Sequence, residues 1–403
     1  MKIAHTVENG MGGMSAAARL EAYWERELGH DARLVFPEER GPWNREGVPV
    51  ADFEFVKQCD VIVSHSTLGK NEQDLGIPFV LMCHGTPEHC YWSQRIAETG
   101  PYTALSNLAA HKNCAFIVTH WKRHIPFWSQ IMPKERIRYV PPGVDLDAFT
   151  NEPADLSVFA GMEGKVNVLS AGRWRVPSCP FSMVNAFGLF AKNHFGARLH
   201  IAALTNFVGL SEIMDHMNSR GTLGIVGIHT SRLAEMYRAC DFSITSHWDA
   251  GLTPREGLAC GCQVVGSRGL DCTPYTADLF DLEACAEQME LAYADLKKDG
   301  RRVTAEKNRQ RAVEHFDPKV AAEKMLALLT SIRPSDNARS WASSVELKVY
   351  GSEQEASEEI DRVKEVVKRR KAEEKAAKAQ PAVGYRDVTN KATEEMQNAC
   401  HQD

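Results

Sequence analysis

Residues Ala239–Ser267, ACDFSITSHWDAGLTPREGLACGCQVVGS, decide the reading of the fold. DFSITS is short, apolar and β-branched, which suits a strand buried on both faces of a parallel sheet. HWDAGLTP is a tight polar loop with an acid and a glycine. REGLACG has the make-up of a short helix that starts with an acid and stops at glycine, and CQVVGS is the next buried strand. In an open α/β sheet, ligands bind at loops on the carboxyl ends of strands. A helix N-terminus at such a loop favours anions. The segment therefore predicts a site for a phosphorylated ligand.

Strand and helix signals alternate on the N-terminal side of this stretch. KIAHTV reads as a strand, ENGMGGM as a glycine turn, and SAAARLEAYWEREL as a helix with Ser15 available to cap it. DARLVF, CDVIVSHS, IPFVLMCHG, CAFIVTH and RIRYVPPG are further strand candidates. Residues 141–157, PPGVDLDAFTNEPADLS, form an acidic, proline-rich connector. The pattern then restarts with KVNVLSAG (strand), PFSMVNAFGLFAKNH (helix), ARLHIAAL and TLGIVGI (strands), and SRLAEMYRAC (helix). Parallel strands with helical crossovers imply two doubly wound α/β lobes of similar size. From Leu282 the chain turns helical, with apolar residues at helical spacing in 282–298, 301–316 and 318–332. Beyond Arg333, SEEIDRVKEVVKRRKAEEKAAKA is mostly charged and predicts a solvated helix followed by a disordered end.

The opening segment resembles the donor-binding segment of the family 4 glycosyltransferases, retaining enzymes of the GT-B fold. LACGCQVVGS follows that family's small-residue tail, and Glu256 stands at its second acid. The family spaces its two acids eight positions apart. Here Asp249 lies one position too close to Glu256, and Trp248 occupies the formal first-acid position. Either the loop is one residue short or the first acid has been replaced. The linker Val140–Phe149, with a proline, Gly143, Val144 and Asp145, also resembles the family's hinge. The resemblance covers roughly residues 1–332. It implies two Rossmann-like doubly wound lobes facing a cleft, plus a C-terminal helical extension. The implied domains are an acceptor-side lobe at 1–145, a nucleotide-sugar lobe at 146–317, a crossover helix at 318–332 and a charged tail at 333–403.

Glycosyl transfer requires a neutralised leaving diphosphate, a gripped sugar and a positioned acceptor hydroxyl. By resemblance, Arg173, after the strand KVNVLSAG, is the cation on the diphosphate. The family's next lysine is replaced by Ser178, and Arg175 is the residue able to stand in for it. Glu256 is the implied grip on the nucleotide ribose; as a residue opening a helix it also complements the dipole. Asp249 and the backbone of Gly251, Leu252 and Thr253 would hold sugar hydroxyls and phosphate. Thr253 and Pro254 equally fit the cap and first residue of a helix. Gly12 and Gly13 match the family's N-terminal Gly-Gly loop, where the lack of Cβ lets backbone N–H groups approach a ligand. His84, ahead of Gly85, matches a His-Gly on the acceptor and sugar side. His229 lies where the family's chain passes the nucleobase. His5, His65 and His120 read as structural histidines. No DxD pair follows a strand, so a metal-independent enzyme is expected. It would need no cofactor, only a UDP- or GDP-sugar co-substrate, with front-face attack assisted by the leaving phosphate.

Composition bounds the alternatives. The 403 residues are 43% apolar and 25% charged, as in a soluble enzyme of two to three domains, and the net charge of −6 argues against bulk nucleic-acid binding. No window is apolar for 18 residues or more, and MKIAHTV runs straight into a strand, so a cytoplasmic protein without membrane association is expected. The 11 cysteines are scattered without metal-binding spacing and read as buried reduced thiols. The acceptor stays open: a small molecule, a glycan, a lipid-linked group or a hydroxymethylated pyrimidine in DNA. The last would need local basic patches such as Lys122, Arg123 and Lys368–Lys371. A nucleotide-sugar epimerase, a dinucleotide enzyme suggested by G-M-G-G-M-S and a non-catalytic binding protein are the other classes. Turnover without acceptor, nicotinamide binding, and absence of nucleotide-sugar binding would mark them respectively.

Overall fold

A computed structural model describes residues 1–7, 13–36, 47–65, 68–85, 108–109, 111–153, 155–159, 165–172, 180–203, 232–245 and 251–332. These belong to one compact unit, Met1–Arg339. Its strands are β1 (Lys2–Val7), β2 (Asp31–Val35), β3 (Val50–Ala51), β4 (Val61–His65), β5 (Phe79–Cys83), β6 (Cys114–Thr119), β7 (Ile137–Tyr139), β8 (Val166–Gly172), β9 (Ala197–Ala203), β10 (Phe242–Ile244), β11 (Gln263–Ser267) and β12 (Tyr275–Ala277). Seven form a parallel sheet in the order β3-β2-β1-β4-β5-β6-β7, and five form a second in the order β12-β11-β10-β8-β9. In each sheet the chain reverses direction beside the first strand, β1 or β8. Those are the switch points where such sheets open a crevice at their carboxyl edge. Two Rossmann-like, doubly wound lobes are therefore present, as expected.

The helices that frame the site are α1 (Gly13–Glu27), α2 (Pro180–Asn193), α3 (Leu233–Ala239), α4 (Leu252–Ala259), α5 (Leu282–Asp299), α6 (Arg301–Phe316) and α7 (Pro318–Thr330). The last three follow the helical spacing of the sequence. Asp281 caps α5 by accepting from the Ala284 amide at 3.0 Å, and Gly300, at φ +79°, ends it. Asp317 caps α7, with Pro318 as its first residue. Met325, Leu326 and Leu329 of α7 pack with Ile3, Val63 and Ala18, so this helix lies on the first sheet. In the second lobe, Val168, Phe187, Phe190, Ile201, Phe242 and Met289 form the core between β8–β10, α2 and α5. Each fully buried side chain of this size contributes roughly 1.5–3 kcal/mol.

One expectation is corrected here. Helix α1 begins at Gly13, so Ser15 is a buried first-turn residue and not its cap. Strands β3 and β12 are two and three residues long, too short to leave a periodic signature. TLGIVGI lies outside the described residues. The eight described cysteines are free and buried, and burial pushes thiols such as Cys59 and Cys114 up to about 12. Among the described residues no helix is long and apolar enough to cross a membrane.

Candidate functional site

The second lobe's site is built on the start of α4. Gly251 is the N-cap, and no side chain caps the helix. First-turn amides of a helix have no partner within it, so Leu252 and Thr253 present N–H groups at the carboxyl edge of the sheet. The Thr253 hydroxyl is buried and has no hydrogen-bond partner among the described residues, while its carbonyl accepts from Tyr237 Oη at 2.7 Å. Glu256 is half-buried, and its side chain makes no hydrogen bond or ion pair among the described residues. Burial, and then the charge of Asp145, pushes its carboxyl up to about 8. The helix starts at Leu252, so Glu256 sits in the second turn. It does not open the helix, and dipole complementation does not explain it. Thr253 and Pro254 are likewise past the cap position. A partly desolvated carboxyl without a partner among the described residues is what a ligand's hydroxyl groups would satisfy.

Arg255, absent from the sequence-based candidates, shapes this loop. Its side chain is fully buried. One guanidinium nitrogen donates to Gly251 O at 3.1 Å and another to Asp271 Oδ1 at 3.0 Å. The group also lies 4.8 Å over the Phe316 ring. Asp271 Oδ2 in turn accepts from Tyr139 Oη, on β7 of the first lobe, at 3.2 Å. The small-residue tail is a packing requirement. A Cβ on Gly257 would lie 3.0 Å from the Tyr237 ring, and one on Gly261, at φ +80°, would lie 2.6 Å from Ala305 Cβ. Helix α4 can thus approach α3 and α6 only with glycine at both places.

In the first lobe, His65 ends β4, His84 follows β5 and His120 follows β6, so the three lie on adjacent strand ends. His5, in β1, pairs in register with Val63 of β4. His84 is not an isolated residue: its Nε2 lies 2.6 Å from His65 Nδ1, and His65 Nε2 lies 3.0 Å from His5 Nδ1. His5 Nε2 lies 2.7 Å from Glu25 Oε2. His5 and His65, read from the sequence as structural histidines, are fully buried and bonded to each other. His120 is fixed by its Nδ1 donating to Val140 O at 2.8 Å, and its ring lies 5.0 Å from that of His84. Glu21, His84 and His120 share a cavity with Val140, Gly143 and Pro318.

Gly251, Leu252, Thr253 and Glu256 thus come together on one helix start, while His84 sits on the edge of the other sheet. Gly13 is the first residue of α1, and a Cβ there would meet nothing within 4 Å. Gly12, Arg173, Arg175, His229 and Asp249 lie outside the described residues, as do Trp248 and Ser178.

No family model matches the chain. A D-inositol 3-phosphate glycosyltransferase of Xylanimonas cellulosilytica is 30% identical over 230 residues, covering 50% of this chain and 53% of that protein. The chain thus spans about half the length of the curated relative it matches. Among solved structures, Anabaena Alr3699/HepE in complex with UDP and glucose superposes with a TM-score of 0.64 at 16% identity, over 82% of this chain and 100% of that one. An alpha-glucosyltransferase in complex with UDP and a 13-mer DNA containing an HMU base superposes with a TM-score of 0.59 at 15% identity, over 82% and 100%. The chain has the GT-B fold of these glycosyltransferases.

Proposed function

We propose that this protein transfers a sugar from a nucleotide-sugar donor to an acceptor hydroxyl. The observation that carries the reading is the start of α4, where among the described residues the helix N-terminus has no side-chain cap and the buried Thr253 hydroxyl and the Glu256 carboxyl, one turn apart, have no partner. Phosphate fits the first and ribose hydroxyls fit the last. The sequence likeness to an inositol-phosphate glycosyltransferase and the fold shared with UDP-bound proteins favour the same donor class, with UDP the first nucleotide to test. Arg173, with Arg175 beside it, supplies the charge that the leaving diphosphate needs, so the reaction proceeds without a metal. Transfer retains configuration, by front-face attack assisted by the leaving phosphate. A DNA acceptor is the second reading, favoured by the likeness to the DNA-bound alpha-glucosyltransferase. With a net charge of −6, such binding would rest on local basic residues and fall steeply with salt.

A thermal-shift panel of UDP-, GDP- and ADP-sugars, with and without Mg2+, tests the reading. A ligand at 100 times its Kd stabilises by about 2.7 kcal/mol. One nucleotide sugar is expected to raise Tm equally with and without Mg2+, and Arg173→Ala is expected to abolish the shift. A flat panel would overturn donor binding, and a shift that needs Mg2+ would overturn the metal-free reading. Gly13→Ala separates ligand approach from folding. With open space around the new methyl, the free protein should gain roughly 0.5–1 kcal/mol, while donor affinity falls several-fold. Unchanged affinity would remove Gly13 from the site.

A further inference from the structure

Glu25, His5, His65 and His84 form one unbroken hydrogen-bonded series, with steps of 2.7, 3.0 and 2.6 Å. His5 and His65 each use both ring nitrogens in it, and His84 uses only Nε2. A neutral imidazole has one N–H and one lone pair, so the direction of one bond fixes all the others. An ionised carboxylate only accepts. His5 therefore carries its proton on Nε2, and its Nδ1 accepts from His65 Nε2. His65 Nδ1 accepts from His84 Nε2. His84 is left with a bare lone pair on Nδ1.

We propose that Glu25, His5 and His65 are positioning residues that set the hydrogen-bonding polarity of His84 Nδ1 toward bound sugar. This rests on the glycosyl-transfer reading above. With the series neutral, His84 accepts a hydrogen bond from a sugar hydroxyl. One added proton reverses both histidine–histidine bonds: His5 becomes an imidazolium donating to both Glu25 and His65, His65 donates to His84, and His84 turns an N–H outward. The charge rests on His5 beside Glu25, and His84 stays neutral in both states. No cation then forms on His84 itself.

The surroundings favour that distribution. Burial, then the neighbouring histidines, hold His65 and His84 well below the ordinary histidine range. Burial also acts downward on His5, but the Glu25 carboxylate and its hydrogen bond outweigh it and raise the ring. The other titratable groups facing the series are Glu21, pushed up to about 8 by burial, and His120. The ligand atoms of His5, Glu21 and His65 also lie within 4.8 Å of one another, a spacing that could hold a metal ion. An ion there would take the lone pairs that the His5–His65 bond needs, so the two arrangements exclude each other.

The test is a 15N-histidine titration of the full chain by long-range 1H–15N NMR. At alkaline pH, above the raised titration range of His5, His65 and His84 should both be Nε2–H tautomers. On acidification His5 should become the imidazolium, while His84 converts to the Nδ1–H tautomer without charging. Glu25→Gln replaces an obligate acceptor by an amide that accepts or donates. It should give mixed His84 tautomers and lower kcat about five- to tenfold, the equivalent of one neutral hydrogen bond, with little change in KM for the nucleotide sugar. Mixed tautomers in the parent protein at alkaline pH, a His84 that charges before His5, or stoichiometric zinc in the purified protein would each overturn the inference. If Glu25→Gln does not fold, the titration of the parent protein decides alone. Tautomers as stated in a protein that turns over no nucleotide sugar would keep the polarity device and remove the glycosyl-transfer reading.

Discussion

Glu256→Gln is expected to weaken nucleotide-sugar binding about 10- to 100-fold, the loss of charge-assisted hydrogen bonds worth roughly 1.5–3 kcal/mol. The free protein should not suffer. Burial and Asp145 raise this carboxyl to about 8 in the folded state, well above its ordinary value. Its contribution to stability is therefore fully present below about pH 4.5 and lost as pH rises through 8. Glutamine carries no such charge, so the variant should equal or exceed the parent in Tm at pH 9 while failing to bind. Ribose hydroxyls favour the ionised form, so donor binding between pH 5 and 8 should release a proton. Calorimetry in buffers of different ionisation heat reads that release. Undiminished affinity, or a variant less stable than the parent at pH 9, would remove Glu256 from the donor site.

Arg255→Ala is expected to cost about 2–4 kcal/mol of folding stability, measured by denaturant unfolding. The side chain is fully buried, its hydrogen bonds to Gly251 O and Asp271 are lost, and a cavity opens beside Phe316. Asp271 is 39% exposed at its side chain and can be rehydrated, which keeps the cost below that of a fully buried pair. Arg255→Lys should recover only part of it, because a point ammonium cannot span both acceptors as the planar guanidinium does. Donor affinity should fall in both variants, since Gly251 loses its anchor. A loss below about 1 kcal/mol in the alanine variant, the size of an ordinary surface change, would show that the loop does not depend on this residue.

The two sheets were legible because parallel strands buried on both faces leave runs such as FVLMC and VNVLSAG that nothing else explains. The helix ends were less so. Gly13 and Leu252 start their helices two to four residues earlier than the serine and acid signals suggested, and among the described residues no side-chain cap marks the start of α4. The first-lobe histidines illustrate a different limit. His5, His65 and His84 are far apart in sequence, and only the strand order β1-β4-β5 makes them neighbours. One signal was present: Glu21 and Glu25 are four residues apart on the helix stripe that buries Ala18 and Ala22, and a carboxylate on an apolar stripe needs a partner. Arg255 gave no signal, since an arginine in a first helical turn looks like a surface residue.

The line from Tyr139 through Asp271 and Arg255 to Gly251 joins the two halves of the molecule at the loop that opens α4. Thermodynamic reciprocity follows. If the Tyr139–Asp271 bond forms more readily in one angular arrangement of the halves, then occupancy of the Gly251 loop biases that angle, and the angle biases occupancy by the same factor. A phenylalanine at position 139 would remove this link without touching either ligand contact.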